Sequence, residues 1–95
     1  MTKQALQPNE VAKIGFNDNI VVETRTFHVQ TEVRTKNGFT IRTTILESGE
    51  VKFTTTRPCS DHLSSLDAVS AAVETQHKFY LRELQRMGTP WLASI

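Results

Sequence analysis

Alternation of apolar and polar residues in short β-branched runs constrains the fold of this chain more than any other feature. In "TFHVQTEVRT" (26–35), Phe27 and Val29 lie on one side of an extended strand and the polar residues between them on the other. Two more runs of this kind, "FTIRTTIL" (39–46) and "VKFTTTR" (51–57), follow after glycine-containing turns. The pattern predicts an antiparallel sheet with one buried face.

The first turn fixes the register of the first two of these strands. Asn37-Gly38 favours a two-residue turn. That turn would place apolar and polar residues on both faces, which a buried face forbids. A three-residue loop over 36–38, with the glycine in the left-handed region, pairs Val33 with Ile41 instead and keeps the apolar residues together. The sequence therefore predicts the longer loop.

The second turn is expected to repeat this loop over residues 47–49. That choice pairs Ile45 with Val51 and continues the segregation of the two faces. The resulting core face carries Phe27, Val29, Val33, Phe39, Ile41, Ile45, Val51 and Phe53.

The opposite sheet face is the candidate binding surface. We assign to it, as ligand- or partner-binding residues, His28, Gln30, Glu32, Arg34, Arg42 and Lys52. The register places Glu32 opposite Arg42, which favours a cross-strand ion pair. His28 and Glu32 lie four residues apart on one strand, about 13 Å at 3.3 Å per residue, so they cannot act together as acid and base. We expect recognition on this face, with no catalytic residue.

The second half of the chain predicts one long helix over 65–87. Ser64 followed by Asp67 is a start of the capping-box type, and Gly88 suits the position just after a helix. The apolar stripe of this helix comprises Leu66, Val69, Val73, Tyr80, Leu84 and Met87.

Five residues on or near this helix are candidates for a subunit interface. Gln76 and His77 interrupt the apolar stripe, so they either hydrogen-bond within the core or contact a second subunit. Phe79 lies on the flank of the helix, and Trp91 and Leu92 make the tail apolar. The tail either folds back onto the core or docks on something else. Because contiguous apolar patches mark interfaces, we assign all five residues to a homodimer interface.

Composition narrows the function classes. Eleven basic and ten acidic residues give a net charge of +1, whereas nucleic-acid-binding domains carry a clear basic excess. No apolar run approaches the ~18 residues that span a bilayer, and "MTKQALQPNE" lacks the apolar segment of a signal peptide. Cys59 and His62 have the spacing of two zinc ligands, but the chain has no second cysteine. We expect a cytoplasmic protein without metal or cofactor.

These features predict a single α+β domain over residues 11–88. It consists of an antiparallel β-meander of three to four strands, followed by one long C-terminal helix packed on one sheet face. Residues 1–10 are expected to form a mobile tail and residues 89–95 a C-terminal tail. Within the domain, 11–16 is expected to be an edge strand and "NDN" (17–19) a turn.

Three strings of this sequence resemble a family of small, uncharacterised bacterial proteins. The strings are "GFNDNI" (15–20), "FHVQTE" (27–32) and "ETQHKFYLRELQRMG" (74–88), and they are similar to the family's GFN turn, FHVQTE strand and QHK…LR…L helix. In the family a second acid often follows HVQTE, where this chain has Val33. The resemblance implies a bacterial, cytoplasmic protein, and it implies no activity, ligand or catalytic residue.

The sequence thus favours a non-enzymatic interaction or regulatory module, homodimeric, that binds a protein partner. The rival hypothesis is binding of nucleic acid or another anionic ligand through Arg34, Arg42 and Lys52. No aromatic residue lies among these cations for bases to stack on, which argues against single-stranded nucleic acid. An enzyme would need a complete set of catalytic residues, and no motif in the sequence supplies one.

Overall fold

The computed structural model describes residues 7–36, 38–59 and 65–94, and it confirms the predicted α+β class. Four antiparallel strands form a meander in the order β1-β2-β3-β4, and a long helix packs on one face of the sheet. The elements are α1 (Pro8–Val11), β1 (Gly15–Val22), β2 (Arg25–Arg34), β3 (Thr40–Glu47), β4 (Glu50–Pro58), α2 (Leu66–Met87) and α3 (Thr89–Ser94). Within the described ranges, no helix is long and apolar enough to cross a membrane.

Strand β1 corrects the sequence prediction of an edge strand over 11–16 and a turn over 17–19. One strand runs from Gly15 to Val22 and pairs with β2 along its whole length, with Asn19 opposite His28. Asparagine and aspartate favour turns because their side chains bond the local backbone. Here all three side chains of the NDN sequence bond residues of other elements. Tertiary partners therefore override the local turn signal.

The register between β2 and β3 is the predicted one. Val33 pairs with Ile41, as the three-residue loop requires. Gly38 in that loop has a φ of 95°, in the left-handed region that favours glycine. Asn37, the middle residue of the loop, lies outside the described residues. Because the register is correct, the apolar residues of both strands face α2 and are buried, except Leu46 on the opposite face.

The turn between β3 and β4 is shorter than predicted. Ser48 and Gly49 form a two-residue turn with φ values of 52° and 79°. Positive φ at both central residues gives the turn a twist that matches its strands. The predicted pairing of Ile45 with Val51 is therefore wrong.

A β-bulge at Lys52 restores the segregation of the two sheet faces. Leu46 pairs with Val51 and Ile45 with Phe53, so Lys52 is the extra residue of β4. Phe53 faces α2, as predicted, and lies opposite Ile45. Val51 instead shares the opposite face with Leu46, and 54% of it is exposed.

Helix α2 begins and ends close to the predicted positions. Ser65 caps its N-terminus by accepting a hydrogen bond from a backbone N–H of the first turn. The predicted cap, Ser64, lies outside the described residues. Gly88 follows the helix with a φ of 72°, as expected.

The apolar stripe of α2 is buried in its middle and exposed at its ends. Its buried apolar residues are Val69, Val73, Tyr80 and Leu84. Leu66 and Met87, at the two ends, are 37% and 47% exposed. The helix packs mainly on β1 and β2, less on β3, and hardly touches β4. Consequently the last strand of the sheet is the least covered.

Helices α1 and α3 occupy the described parts of the two predicted tails. The predicted boundary at residue 10 falls inside α1, whose Val11 is fully buried. At the other end, the ring of Trp91 in α3 lies 5.9 Å from the ring of Phe53 and 6.1 Å from that of Tyr80. Of the two alternatives for this segment, folding back onto the core is the one observed.

The core between α2 and the sheet consists of two apolar clusters. The first contains Val11, Val33, Ile41, Cys59, Val69 and Val73. The second contains Val22, Phe27, Val29, Ile45 and Leu84, with Trp91 and Leu92 packed against it. Polar side chains occupy the middle of α2, β2 and β3 between these clusters.

Candidate functional site

The outer face, which is the sheet face opposite α2, carries five of the six predicted binding residues. They are His28, Gln30, Glu32 and Arg34 on β2 and Arg42 on β3. Strand alternation points them away from the helix. All except Arg34 are half-buried by their neighbours on the sheet.

Glu32 forms ion pairs with the two arginines of the outer face. Arg42 donates hydrogen bonds from Nη2 at 2.5 Å and Nε at 3.2 Å to Oε1 of Glu32. Nη1 of Arg34 lies 3.6 Å from the same oxygen. The predicted pairing of Glu32 with Arg42 is confirmed. One carboxylate therefore partly neutralises both cations.

His28 is bracketed by two residues that the sequence analysis missed. Its Nδ1 lies 2.9 Å from Oδ1 of Asn19 and its Nε2 lies 3.1 Å from Oδ1 of Asn17. A neutral ring satisfies both contacts when one amide is turned so that its NH2 group donates. Read by alternation, the NDN sequence would have indicated this arrangement, since its two asparagines share one face.

Lys52 lies apart from the two outer-face arginines. As the extra residue of the bulge, it is 3.1 Å from Oε1 of Glu50 and 4.0 Å from Oε1 of Glu47. The predicted basic group of three therefore does not form, because the bulge that the sequence analysis missed moves Lys52 to the hairpin end.

An ion pair at the same hairpin end shifts two pKa values. Arg25 donates from Nε at 2.7 Å and Nη2 at 2.6 Å to the two carboxylate oxygens of Glu47. This hydrogen bonding holds the pKa of Glu47 below its ordinary value and raises that of Arg25. The guanidinium also lies 5.1 Å from the ring centre of Phe27.

A chain of hydrogen bonds, here called the buried polar chain, crosses from α2 to the sheet between the two apolar clusters. Nε2 of Gln76 lies 3.0 Å from Oγ1 of Thr43, which lies 2.9 Å from Oγ1 of Thr31. That hydroxyl lies 2.8 Å from Nδ1 of His77, whose Nε2 lies 2.7 Å from Oδ2 of Asp18.

The ends of the buried polar chain set its direction. The Asp18 carboxylate only accepts, so His77 donates from Nε2, and when the ring carries that proton alone, its Nδ1 accepts from the Thr31 hydroxyl. Thr43 then donates to Thr31 and accepts from the Gln76 amide, which donates to the Ile41 carbonyl oxygen as well. No buried side-chain N or O atom of the described residues lacks a partner.

The structure therefore corrects the assignment of Gln76 and His77 to a subunit interface. They are only 8% and 2% exposed and bond the sheet of their own protomer. The sequence left hydrogen bonding within the core open as the alternative, and that alternative is observed. The Thr31–His77–Asp18 arrangement has the donors and acceptors of a catalytic triad. However, Thr31 is 0% exposed, so no substrate can reach its hydroxyl.

An apolar groove of about 420 Å³ lies between α2 and the uncovered side of β4. We call it the helix–strand groove, and it is lined by Arg57, Ala71, Ala72, Thr75, Gln76 and Phe79. Phe79 is 38% exposed and packs edge-on against Tyr80 with ring centres 5.0 Å apart. Tyr80 in turn contacts Trp91, so this buried residue links Phe79 to the C-terminal segment.

Metal-ligating residues do not gather in the described part of the chain, where no group of three or more His, Cys, Asp or Glu could hold an ion. Cys59 is buried in the first apolar cluster. His62, its expected companion in the C-x-x-H spacing, lies outside the described residues.

Comparison of the chain with protein-family models, with curated proteins and with solved structures finds no match. The resemblance through the GFN, FHVQTE and QHK strings therefore stays a prediction. In the structure these strings supply polar residues to two places, the His28 contacts of the outer face and the buried polar chain. The residues are Asn17, Asn19 and His28 in the first, and Asp18, Thr31, Gln76 and His77 in the second.

Proposed function

We propose that this protein is a non-enzymatic interaction module that forms a homodimer and binds a protein partner. The observation that carries the proposal is the helix–strand groove with Phe79 exposed at it. A helix that covers three strands of a four-stranded sheet leaves apolar surface beside the fourth. Such surface is characteristic of interaction sites.

The absence of enzymatic activity is supported by how the titratable side chains are used. Both ring nitrogens of His28 face asparagine side chains, and Glu32 is bound by two arginines. His77 is enclosed between helix and sheet. None of these groups is placed to exchange a proton with a substrate.

The resemblance to bacterial proteins supports a place in the bacterial cytoplasm, and we propose that location. The outer face, with its neutralised arginines and its amide and imidazole groups, is the surface we propose for the protein partner. A polar face of this kind suits a partner that offers complementary hydrogen-bonding groups.

The homodimer is tested by measuring solution mass over a concentration series. We expect the wild type to be a dimer at micromolar concentration and Phe79→Glu to be a folded monomer, because a carboxylate cannot be buried unpaired in an apolar contact. Gln85→Glu, which changes the charge of an exposed residue of the same helix equally, is the matched control and should remain dimeric. A wild type that is monomeric at high micromolar concentration would contradict the proposal.

The rival function is binding of nucleic acid or another anionic ligand through Arg34, Arg42 and Lys52. Each of these cations already has a carboxylate partner, so no observation favours this rival. Phosphate contacts weaken steeply with salt. Oligonucleotide binding that is present at low salt and lost at high salt, and lost again in Arg42→Gln, would favour the rival.

A further inference from the structure

Within the described residues, strand β4 has an unpaired edge, and its central residues form a regular run. Among the strands described, it is the last of the sheet and pairs with β3 alone. The bulge at Lys52 interrupts it near one end and Pro58 ends it at the other. Edges are commonly protected by proline, lysine or bulges. The run "FTTTR" (53–57) between these two features has none of them, so no described residue blocks the backbone groups that point away from β3, and another strand can pair with them.

The side of this run that faces α2 is poorly covered. Its residues are Phe53, Thr55 and Arg57, since alternate residues share a face. Tyr80 and Trp91 contact Phe53 at its start. Arg57, at its end, lines the helix–strand groove and forms no ion pair within the described residues. The run thus has a covered aromatic end and an open cationic end.

We propose that β4 pairs antiparallel with β4 of a second copy of this chain, about a two-fold axis at Thr55. The inference rests on the proposed function, because it assigns the geometry of the proposed homodimer. Paired residues of an antiparallel sheet share a face. The only such pairing that uses the whole run is centred on its middle residue. The two sheets become continuous, and both α2 helices lie on the same side of the combined sheet.

This pairing is self-complementary, which argues for a second copy as the occupant. Phe53 and Arg57 lie at equal distances from Thr55, so each Phe53 faces the partner subunit's Arg57. A guanidinium over an aromatic ring is a favourable contact, and Arg25 already makes it with Phe27 in this protein at 5.1 Å. On the outer face, Thr54 meets the partner's Thr56, and threonine pairs favour cross-strand contact. The partner strand also borders the open side of the helix–strand groove, beside Phe79.

Cross-linking through one introduced cysteine tests the position of the axis. Only the residue on the axis meets its own copy directly, within the Cα separation that a disulfide spans. With oxidised glutathione as the oxidant, Thr55→Cys should form a linked dimer about tenfold faster than Thr54→Cys or Thr56→Cys, whose copies lie two residues out of register. The wild type is the control for the buried Cys59, which all variants share. Fastest linkage at position 54 or 56, or equal rates at all three, would overturn the inference.

Amide hydrogen exchange of residues 53–57 supplies a test without substitution in the strand. Exchange of the amides in this run that point away from β3 should slow with rising concentration in the wild type and should be fast at every concentration in Phe79→Glu, because only the dimer pairs this edge. If the wild type is a dimer whose 53–57 amides exchange as fast as those of Phe79→Glu, and Thr55→Cys does not cross-link, the edge pairing is wrong and the homodimer stands. If the wild type stays monomeric, both proposals fail.

Discussion

His77 shows how a polar residue in the middle of an apolar stripe becomes part of a core. Its ring is enclosed, yet both of its nitrogens have partners, at 2.8 Å in Thr31 and 2.7 Å in Asp18. A buried polar group without such partners would destabilise the fold. The partners lie on β1 and β2, so the hydrogen bonds also fix where α2 sits along the sheet.

Removing one hydroxyl from the buried polar chain should therefore be costly. Thr31→Val keeps the shape of the side chain but leaves the His77 Nδ1 without a donor and the Thr43 O–H without an acceptor. We expect the free energy of unfolding in urea to fall by about 1–3 kcal/mol. Thr44→Val, at an exposed cross-strand pair with 3.4 Å between hydroxyl oxygens, is the control and should change it by less than ~0.5 kcal/mol. Equal losses of unfolding free energy in the two variants would show that the buried polar chain contributes no net stability.

Glu47 should titrate abnormally because of Arg25. Carboxyl carbon NMR of the folded protein should give Glu47 a pKa below its ordinary value, and Arg25→Gln should return it toward that value. A carboxyl group whose pKa is lowered by folding stabilises the protein above its unfolded pKa, and this contribution is lost as the pH falls through the folded pKa. An unchanged Glu47 titration in Arg25→Gln would contradict the assignment.

At the scale of elements, prediction from sequence succeeds where the apolar–polar pattern determines the structure. It fails where partners distant in sequence determine it. The register of β2 on β3 is predictable because a one-residue slip would bury polar side chains. Strand β1 was predicted wrongly, since its NDN residues have partners on β2 and α2 that outweigh the local turn signal. The prediction of the turn between β3 and β4 fails for another reason. Two- and three-residue loops both tolerate Gly49, and the bulge at Lys52 makes the shorter one compatible with the faces.

The glycine of that last turn provides a test of backbone strain alone. Gly49 has a φ of 79° and no atom within 4 Å of a Cβ added there. Gly49→Ala should therefore lower the free energy of unfolding by about 1 kcal/mol through the left-handed conformation only. Gly49→Asn should cost less, because asparagine tolerates that conformation. Equal losses for alanine and asparagine in urea unfolding would indicate a cause other than φ.

For the whole molecule, the decisive asymmetry is that one helix covers a sheet too wide for it. Helix α2 packs over β1 to β3, and α3 adds cover at the Phe53 end of β4 through Trp91. No described residue gives the Arg57 end comparable cover, and the helix–strand groove lies there. The two aromatic residues that the sequence assigned to one interface therefore differ in role, with Trp91 closing the protomer and Phe79 beside the open groove.

Because of these different roles, we expect Trp91→Ala to lower stability without dissociating the dimer, and Phe79→Glu to dissociate it without unfolding the protomer. Trp91→Ala removes a half-buried aromatic ring from the second apolar cluster, so it should lower the free energy of unfolding by about 2 kcal/mol. Measured in the monomeric Phe79→Glu background, this loss is free of any contribution from dissociation. In the wild-type background, Trp91→Ala should leave the dimer intact in sedimentation at concentrations where the protein stays folded. If Trp91→Ala instead gives a monomer of undiminished stability, Trp91 contacts the second subunit, as the sequence alone suggested.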